Sequence, residues 1–191
     1  PKEFQFSTPP PRLIGSLPTG QSVPLDPVMV LVFDQRIEPE EAVKSIRLEA
    51  AGRSRAIRLA DAFERRRSAA VVALLDELAK RGMSDRALVF VAEQPLPRER
   101  EVVIRVVKGF PSGEGKKTTE EEQTARFRTF SRLRIEDAHC AFGRCVPGSP
   151  LTIRLNNVLD SSAFDPSSIR VEPTPRFLEI ELHGAAIQLS G

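Results

Sequence analysis

The chain has 191 residues, with 40% hydrophobic and 28% charged residues, values that fit a folded globular protein and disfavour disorder and a bilayer-spanning chain. Its 28 basic and 26 acidic residues nearly cancel to a net charge of +2, too balanced to indicate a nucleic-acid partner. No run approaches the ~20 apolar residues of a membrane span, and no signal peptide is visible. The first residue is Pro1 and the chain opens in mid-pattern, so it reads as an excised piece of a longer protein.

In chain order, Glu3-Phe4-Gln5-Phe6-Ser7-Thr8 alternates as a strand, and Pro9-Pro10-Pro11 breaks the ladder because proline has no N–H. Leu13-Ile14 starts a new strand, and residues 15–27 are rich in turn formers. Val28 to Phe33 is a nearly continuous apolar run, as expected of a core strand in a sandwich. Ser45 to Glu49 and Ala56 to Ala60 predict short strands with Gly52 in their connection.

Residues 68–81 differ. Val71, Leu74, Leu75 and Leu78 follow helical spacing, with Ser68 as N-cap and Gly82 just past the end. An apolar stripe on this helix requires burial, most simply against a sheet. Arg86 to Ala92 predicts a strand, Pro95-Leu96-Pro97 a turn, and Glu101 to Val107 a strand with Val102, Ile104 and Val106 on one face. Residues 108–123 read as an exposed loop, easily nicked, and Ala125 to Phe130 as a closing strand. Beyond it, strands are predicted from Leu133-Arg134-Ile135 and over 151–155, 168–172, 177–182 and 186–189.

The chain repeats itself. At an offset of 123, Val23-Pro24-Leu25-Asp26-Pro27 pairs with Val146-Pro147-Gly148-Ser149-Pro150, and Val28, Val30 and Val32 with Leu151, Ile153 and Leu155. Ser45-Ile46-Arg47-Leu48-Glu49 pairs with Ser168-Ile169-Arg170-Val171-Glu172, and Phe6-x-Thr8 with Phe127-x-Thr129 at an offset of 121. A long repeat of short alternating segments predicts tandem β-modules. The expected fold is therefore all-β, two immunoglobulin-like sandwiches in tandem with one short inserted helix. Residues 1–8 are a closing strand of a preceding module or a tail, 9–130 the first sandwich, and 131–191 a second module, cut short or smaller. Val32 and Leu155 are expected on the inner faces.

No catalytic constellation is spelled out, and no enzyme, cofactor or metal site is expected. His139 and His183 each stand alone at strand ends, where a histidine is usually a surface group. Gly113-Glu114-Gly115-Lys116-Lys117 lacks the Walker spacing. Arg65-Arg66-Arg67 reads as a solvated face, with an anionic partner as the sharper alternative. The chain has no Trp or Tyr, and its 11 Phe fall mostly at core-like positions, which argues against single-stranded nucleic acid. Cys140 and Cys145 have a spacing that suits a small disulfide loop, with two free thiols as the alternative. A bridge implies periplasm or cell surface.

Several segments resemble the macroglobulin-like modules of bacterial alpha-2-macroglobulins. Val30-Leu31-Val32-Phe33-Asp34-Gln35-Arg36-Ile37 resembles their second core strand, and Pro95 to Ile104 their later Leu-Pro turn and strand. Lys108-Gly109-Phe110-Pro111-Ser112-Gly113-Glu114-Gly115 resembles the family's Gly-x-x-Ser-x-Glu-Gly loop. Phe127-Arg128-Thr129-Phe130 resembles the Phe-x-Thr strand that closes a module, and Leu151 to Asp160 the core strand again. The resemblance implies a scaffold segment of a protease trap in the cell envelope, whose partners are neighbouring domains of a long chain and the captured protease. The family's Cys-x-Glu-Gln thioester is not carried over, because Ala92-Glu93-Gln94 has no cysteine nearby. An adhesion or spacer module of a bacterial surface protein is the alternative.

Overall fold

The computed structural model describes residues 8–191 apart from 141, 142 and 147, and so leaves the expected strand over 3–8 outside the described residues. The chain divides into a unit ending at Phe130 and a unit Ser131–Gly191. It is all-β, with short helices.

Unit 1 is a two-sheet sandwich. One sheet has the order β1 (Leu13–Leu17), β3 (Met29–Phe33), β7 (Ala87–Ala92), β6 (Ile57–Leu59), all neighbours antiparallel. The other has the order β2 (Gly20–Val23), β9 (Gln123–Thr129), β8 (Glu101–Val106), β4 (Ile46–Ala50), β5 (Arg53–Arg55). Side chains alternate across a strand. Ile46, Leu48 and Ala50 therefore meet Val106, Ile104 and Val102 inside, and Val102 and Ile104 meet Phe127 and Ala125. Arg105, Arg126 and Glu101 point outward, where Arg105 reaches Glu49 at 3.1 Å and Arg126 reaches Glu101 at 2.8 Å.

Strand β3 is buried on both faces. Met29, Leu31 and Phe33 point to the second sheet, whereas Val30 and Val32 point to helix α3 (Ala69–Lys80) with Val28, Val89 and Val91. This explains the continuous apolar run, and it places Val32 under the helix, not on the inner face expected of it. Helix α3 begins where the Ser68 hydroxyl accepts from Val71 N at 3.4 Å. It ends at Gly82, whose φ of +67° suits a residue without a Cβ.

Two further short helices were not expected, α1 (Pro39–Ala42) and α2 (Ala62–Arg66). Strands β2 and β5 were also missed. Both are short and polar, and their strand state comes from long-range pairing with β9 and β4. The loop over 108–123 is exposed along most of its length, as expected, but it is anchored at two points. Phe110 is fully buried and stacks on Phe33 with ring centroids 4.4 Å apart. The buried Thr119 hydroxyl accepts from Phe110 N and donates to Val107 O.

Unit 2 carries, among its described residues, one antiparallel sheet of order β10 (Ile135–Cys140), β11 (Leu151–Leu155), β13 (Ala186–Ser190), β12 (Glu179–His183). Leu155, Ile187 and Leu189 are its buried centre, flanked by half-buried residues that include Leu159, Phe164, Ile169 and Val171. The expected strand over 168–172 is instead a 3-10 turn, Pro166–Ser168, followed by residues outside any ladder.

The two first sheets correspond strand for strand. Leu13 lies opposite Phe33, a bulge follows, and Gly15, Ser16 and Leu17 face Val32, Leu31 and Val30. Ile135 lies opposite Leu155, a bulge follows, and Asp137, Ala138 and His139 face Arg154, Ile153 and Thr152. The offset is 122 here, not 123, so the true counterparts of Leu151, Ile153 and Leu155 are Met29, Leu31 and Phe33. The shift of one puts inner face on inner face. The 3-10 turns Val43–Ser45 and Pro166–Ser168 keep 123, so one residue is gained between strand and turn. Strands β7 and β13 pair with β3 and β11 in the same register.

What differs is the connection into the last strand. Unit 1 inserts α2 and α3 between β6 and β7, whereas unit 2 turns at Gly184. The sequence follows: where Val30, Val32, Val89 and Val91 lie under the helix, unit 2 has Thr152, Arg154, Gln188 and Ser190. A face with a helix on it is apolar, and the same face in water is polar.

Candidate functional site

The groups most apt for chemistry are not brought together. His139 on β10 and His183 on β12 occupy opposite edges of the unit 2 sheet. Each is half exposed or more and contacts a carboxylate two residues back, His139 Nδ1 with Asp137 at 2.9 Å and His183 Nε2 with Glu181 at 3.1 Å. Among the described residues no group of three His, Cys, Asp or Glu side chains is placed to hold a metal. No helix among them is long and apolar enough to cross a membrane. A surface groove of about 470 Å³ in unit 1 is lined by Pro10, Pro11, Arg12 and residues 119–123 and gathers no catalytic set.

The basic run is largely engaged within the fold. Arg65 Nε donates to Ala60 O at 3.1 Å, and Arg67 pairs with Asp26. Asp61 and Glu64 form a capping box on α2, and Arg58 donates twice to the Glu64 carboxylate, at 2.6 and 2.8 Å. Those bonds, with the Asp61 backbone N–H, lower the Glu64 pKa to about 2. Cys140 ends β10 and is bonded to Cys145, with Cα atoms 5.1 Å apart, closing the connection towards β11. Of the phenylalanines, Phe33, Phe90, Phe110 and Phe127 are core, while Phe63 and Phe177 stand in solvent.

The arrangement that recurs is a joint where the chain enters each module. In unit 1, Arg12 N donates to Asp34 Oδ1 at 2.7 Å and Asp34 N to Arg12 O at 3.0 Å. In unit 2, Arg134 N donates to Asn156 Oδ1 at 2.8 Å and Asn156 N to Arg134 O at 3.2 Å. The next residue holds the linker before the strand: Gln35 Nε2 donates to Pro9 O, and Asn157 Nδ2 donates to Ser131 O, both at 2.8 Å. Two positions on, Ile37 N donates to Asp85 O and Leu159 N to Gly184 O, each in the turn before the last strand of the shared three. All these pairs are 122 apart on the linker and β3 side, so the same main-chain groups beside the first strand find equivalent partners in both units.

In unit 1 the joint is braced from outside by the 108–115 loop. The Ser112 hydroxyl donates to Gln35 Oε1 at 2.6 Å and accepts from Glu114 N at 3.0 Å. Glu114 accepts from Arg36 N, and Gly113 N donates to Arg36 O at 2.8 Å. A Cβ at Gly113 would come within 3.1 Å of Arg36 O, so glycine permits this approach. The Ser and Glu of the loop that resembles the family's thus have local work: they hold Gln35 and Arg36. The Thr of Phe-x-Thr has similar work. Thr129 is buried, donates to Pro97 O at 2.7 Å and accepts from Arg100 N at 3.1 Å, fixing the Leu-Pro turn. Sequence reasoning missed Gln35 and Asn157. Their signal was present as Asp34-Gln35 against Asn156-Asn157, and aligning the repeat at 123 hid it by one position.

No protein-family model and no curated protein matches this sequence. Among solved structures, native alpha-2-macroglobulin from Escherichia coli spanning domains MG0-NIE-MG1 is similar over 78% of this chain at 12% identity, with a TM-score of 0.39. The S-layer protein rSbsC(31-844) is similar over 90% of this chain at 11% identity, with a TM-score of 0.36. The chain spans 42% of the first structure and 20% of the second.

Proposed function

We propose that this chain is a scaffold segment, two repeated β-modules in tandem, serving a protease trap of the bacterial alpha-2-macroglobulin kind in the cell envelope. The observation that carries the reading is the joint. The same strand-end clamp, Arg12/Asp34/Gln35 in one unit and Arg134/Asn156/Asn157 in the other, ties each incoming linker to its module. A device whose shared bonds recur at the entry of each module fits a role in holding segments of a longer chain. The Cys140–Cys145 bridge supports an oxidising location, periplasm or cell surface. On this reading the partners are neighbouring domains and, through the whole assembly, a captured protease, with no nucleic acid and no direct membrane insertion by this segment.

The test uses the natural polypeptide that bears these residues, mixed with an active protease. A trap leaves cleavage of a small chromogenic peptide intact while cleavage of casein falls, because only the large substrate is shielded. Casein cleaved at the uninhibited rate contradicts the trap. Retention on cell-wall material or glycans in that case would support the adhesion or spacer reading.

A further inference from the structure

In unit 1 the inner face of the first sheet is closed by the second, and Met29 and Leu31 are wholly buried. Their counterparts Leu151 and Ile153 are only half-buried. A second, independent mark is polar. Asn157 is 7% exposed, and its Oδ1 is buried with no hydrogen-bond partner among the described residues. The counterpart Oε1 of Gln35 receives the Ser112 hydroxyl, which is carried by the loop between β8 and β9. A buried acceptor left unpaired is costly, and native folds satisfy nearly all of them. A third mark is the backbone of 169–172. Ile169 and Val171 alternate like Ile46 and Leu48 of β4 and turn towards the core, yet this stretch is in no ladder.

We propose that unit 2 is an acceptor for an amphipathic β-hairpin of the type that β8 and β9 make in unit 1. One strand of it pairs antiparallel with 169–172. The β4–β8 register, Ile46 opposite Val106 and Leu48 opposite Ile104, then sets apolar residues two apart opposite Ile169 and Val171. Pro173 stands where Ala50 stands in β4, and having no N–H it ends the pairing there. The hairpin closes the face over Leu151 and Ile153, and a hydroxyl on its connecting loop donates to Asn157 Oδ1. This is strand addition, in which main-chain bonds give affinity and alternate side chains give specificity. The inference goes beyond the scaffold reading and needs no protease.

The test extends the full chain by a second copy of residues 93–130 placed after Gly191, the register counterpart of Ala92. Amide hydrogen exchange in β11 and β13, and the Asn157 side-chain amide resonance, are the readouts. Exchange is expected to slow about tenfold or more, and the resonance to move. The same extension carrying S112A is expected to keep the strand protection and lose the Asn157 shift. An extension with V102S, I104S and V106S is expected to do neither. Unchanged exchange with the unaltered extension overturns the proposal, as does equal protection by the triple-serine one. So does concentration-dependent dimerisation of the unextended chain that protects these same strands, which would make a second copy the occupant. The substitutions lie in the appended segment, so folding of the acceptor is not at stake.

Discussion

Thr129 shows how a single polar residue sets local structure from inside a core. Its hydroxyl answers one carbonyl and one amide of the Leu-Pro turn, so Thr129→Val keeps the volume and leaves both unpaired. A loss of about 1–3 kcal/mol is expected in chemical denaturation of the chain; no change in the denaturation midpoint would show that the turn does not depend on it. Glu64 offers a pH readout. Its folded pKa, about 2, lies below the ordinary 4.5, so its contribution is complete above about 4.5 and is lost as pH falls towards 2. An NMR titration is expected to show the α2 amides loosening over that interval, and E64Q to abolish the pH dependence by removing the titrating group. Of these residues, the Ser68 cap and Gly82 were legible in advance because each acts through its nearest neighbours. The Asp61-x-x-Glu64 box carries an equally local signature. Gln35 and Asn157 were legible only as a repeated pair in the correct alignment, since nothing about a lone amide says which carbonyl it will hold.

At the level of elements, burial on two faces separates β3 from β8. The alternation of β8 correctly announced one buried face, and the unbroken run of β3 announced two, though not that the second cover was helix α3. Val32→Asp is expected to detach α3 and to cost on the order of 3 kcal/mol or more, with helical circular dichroism falling alongside. V30T/V32R, which writes the unit 2 residues into unit 1, is expected to release the helix while leaving the inter-sheet core folded; retention of full helical signal would contradict the assignment of that face. Strands β2 and β5 were invisible beforehand because Gly-Gln-Ser-Val and Arg-Ser-Arg acquire their state only from partners far away in sequence. The stretch 168–172 erred in the opposite direction. Its alternation is strand-like, and alternation alone makes no ladder. In the Cys140–Cys145 connection only a few residues are enclosed, so replacing both with Ser is expected to cost at most about 2 kcal/mol in unit 2 under oxidising conditions. Equal stability with and without reductant would show that the bridge contributes nothing.

Across the whole molecule, the repeat organises everything else. The two units share a first sheet, its bulge, its registers and its entry joint, and they part where unit 1 inserts two helices between β6 and β7. The repeat was legible because apolar alternation survives divergence. Its phase was not, because sheets fix phase by facing, and Val28, Val30 and Val32 mimic the true inner set one residue away. The joint itself, the feature on which a scaffold role rests, became visible only when the main-chain partners were known. Its equivalence in the two units is testable in solution through scalar couplings transmitted across hydrogen bonds. Matching couplings are expected from Asp34 N to the Arg12 carbonyl and from Asn156 N to the Arg134 carbonyl. Detection of the first without the second, in a sample where both units are folded, would contradict it.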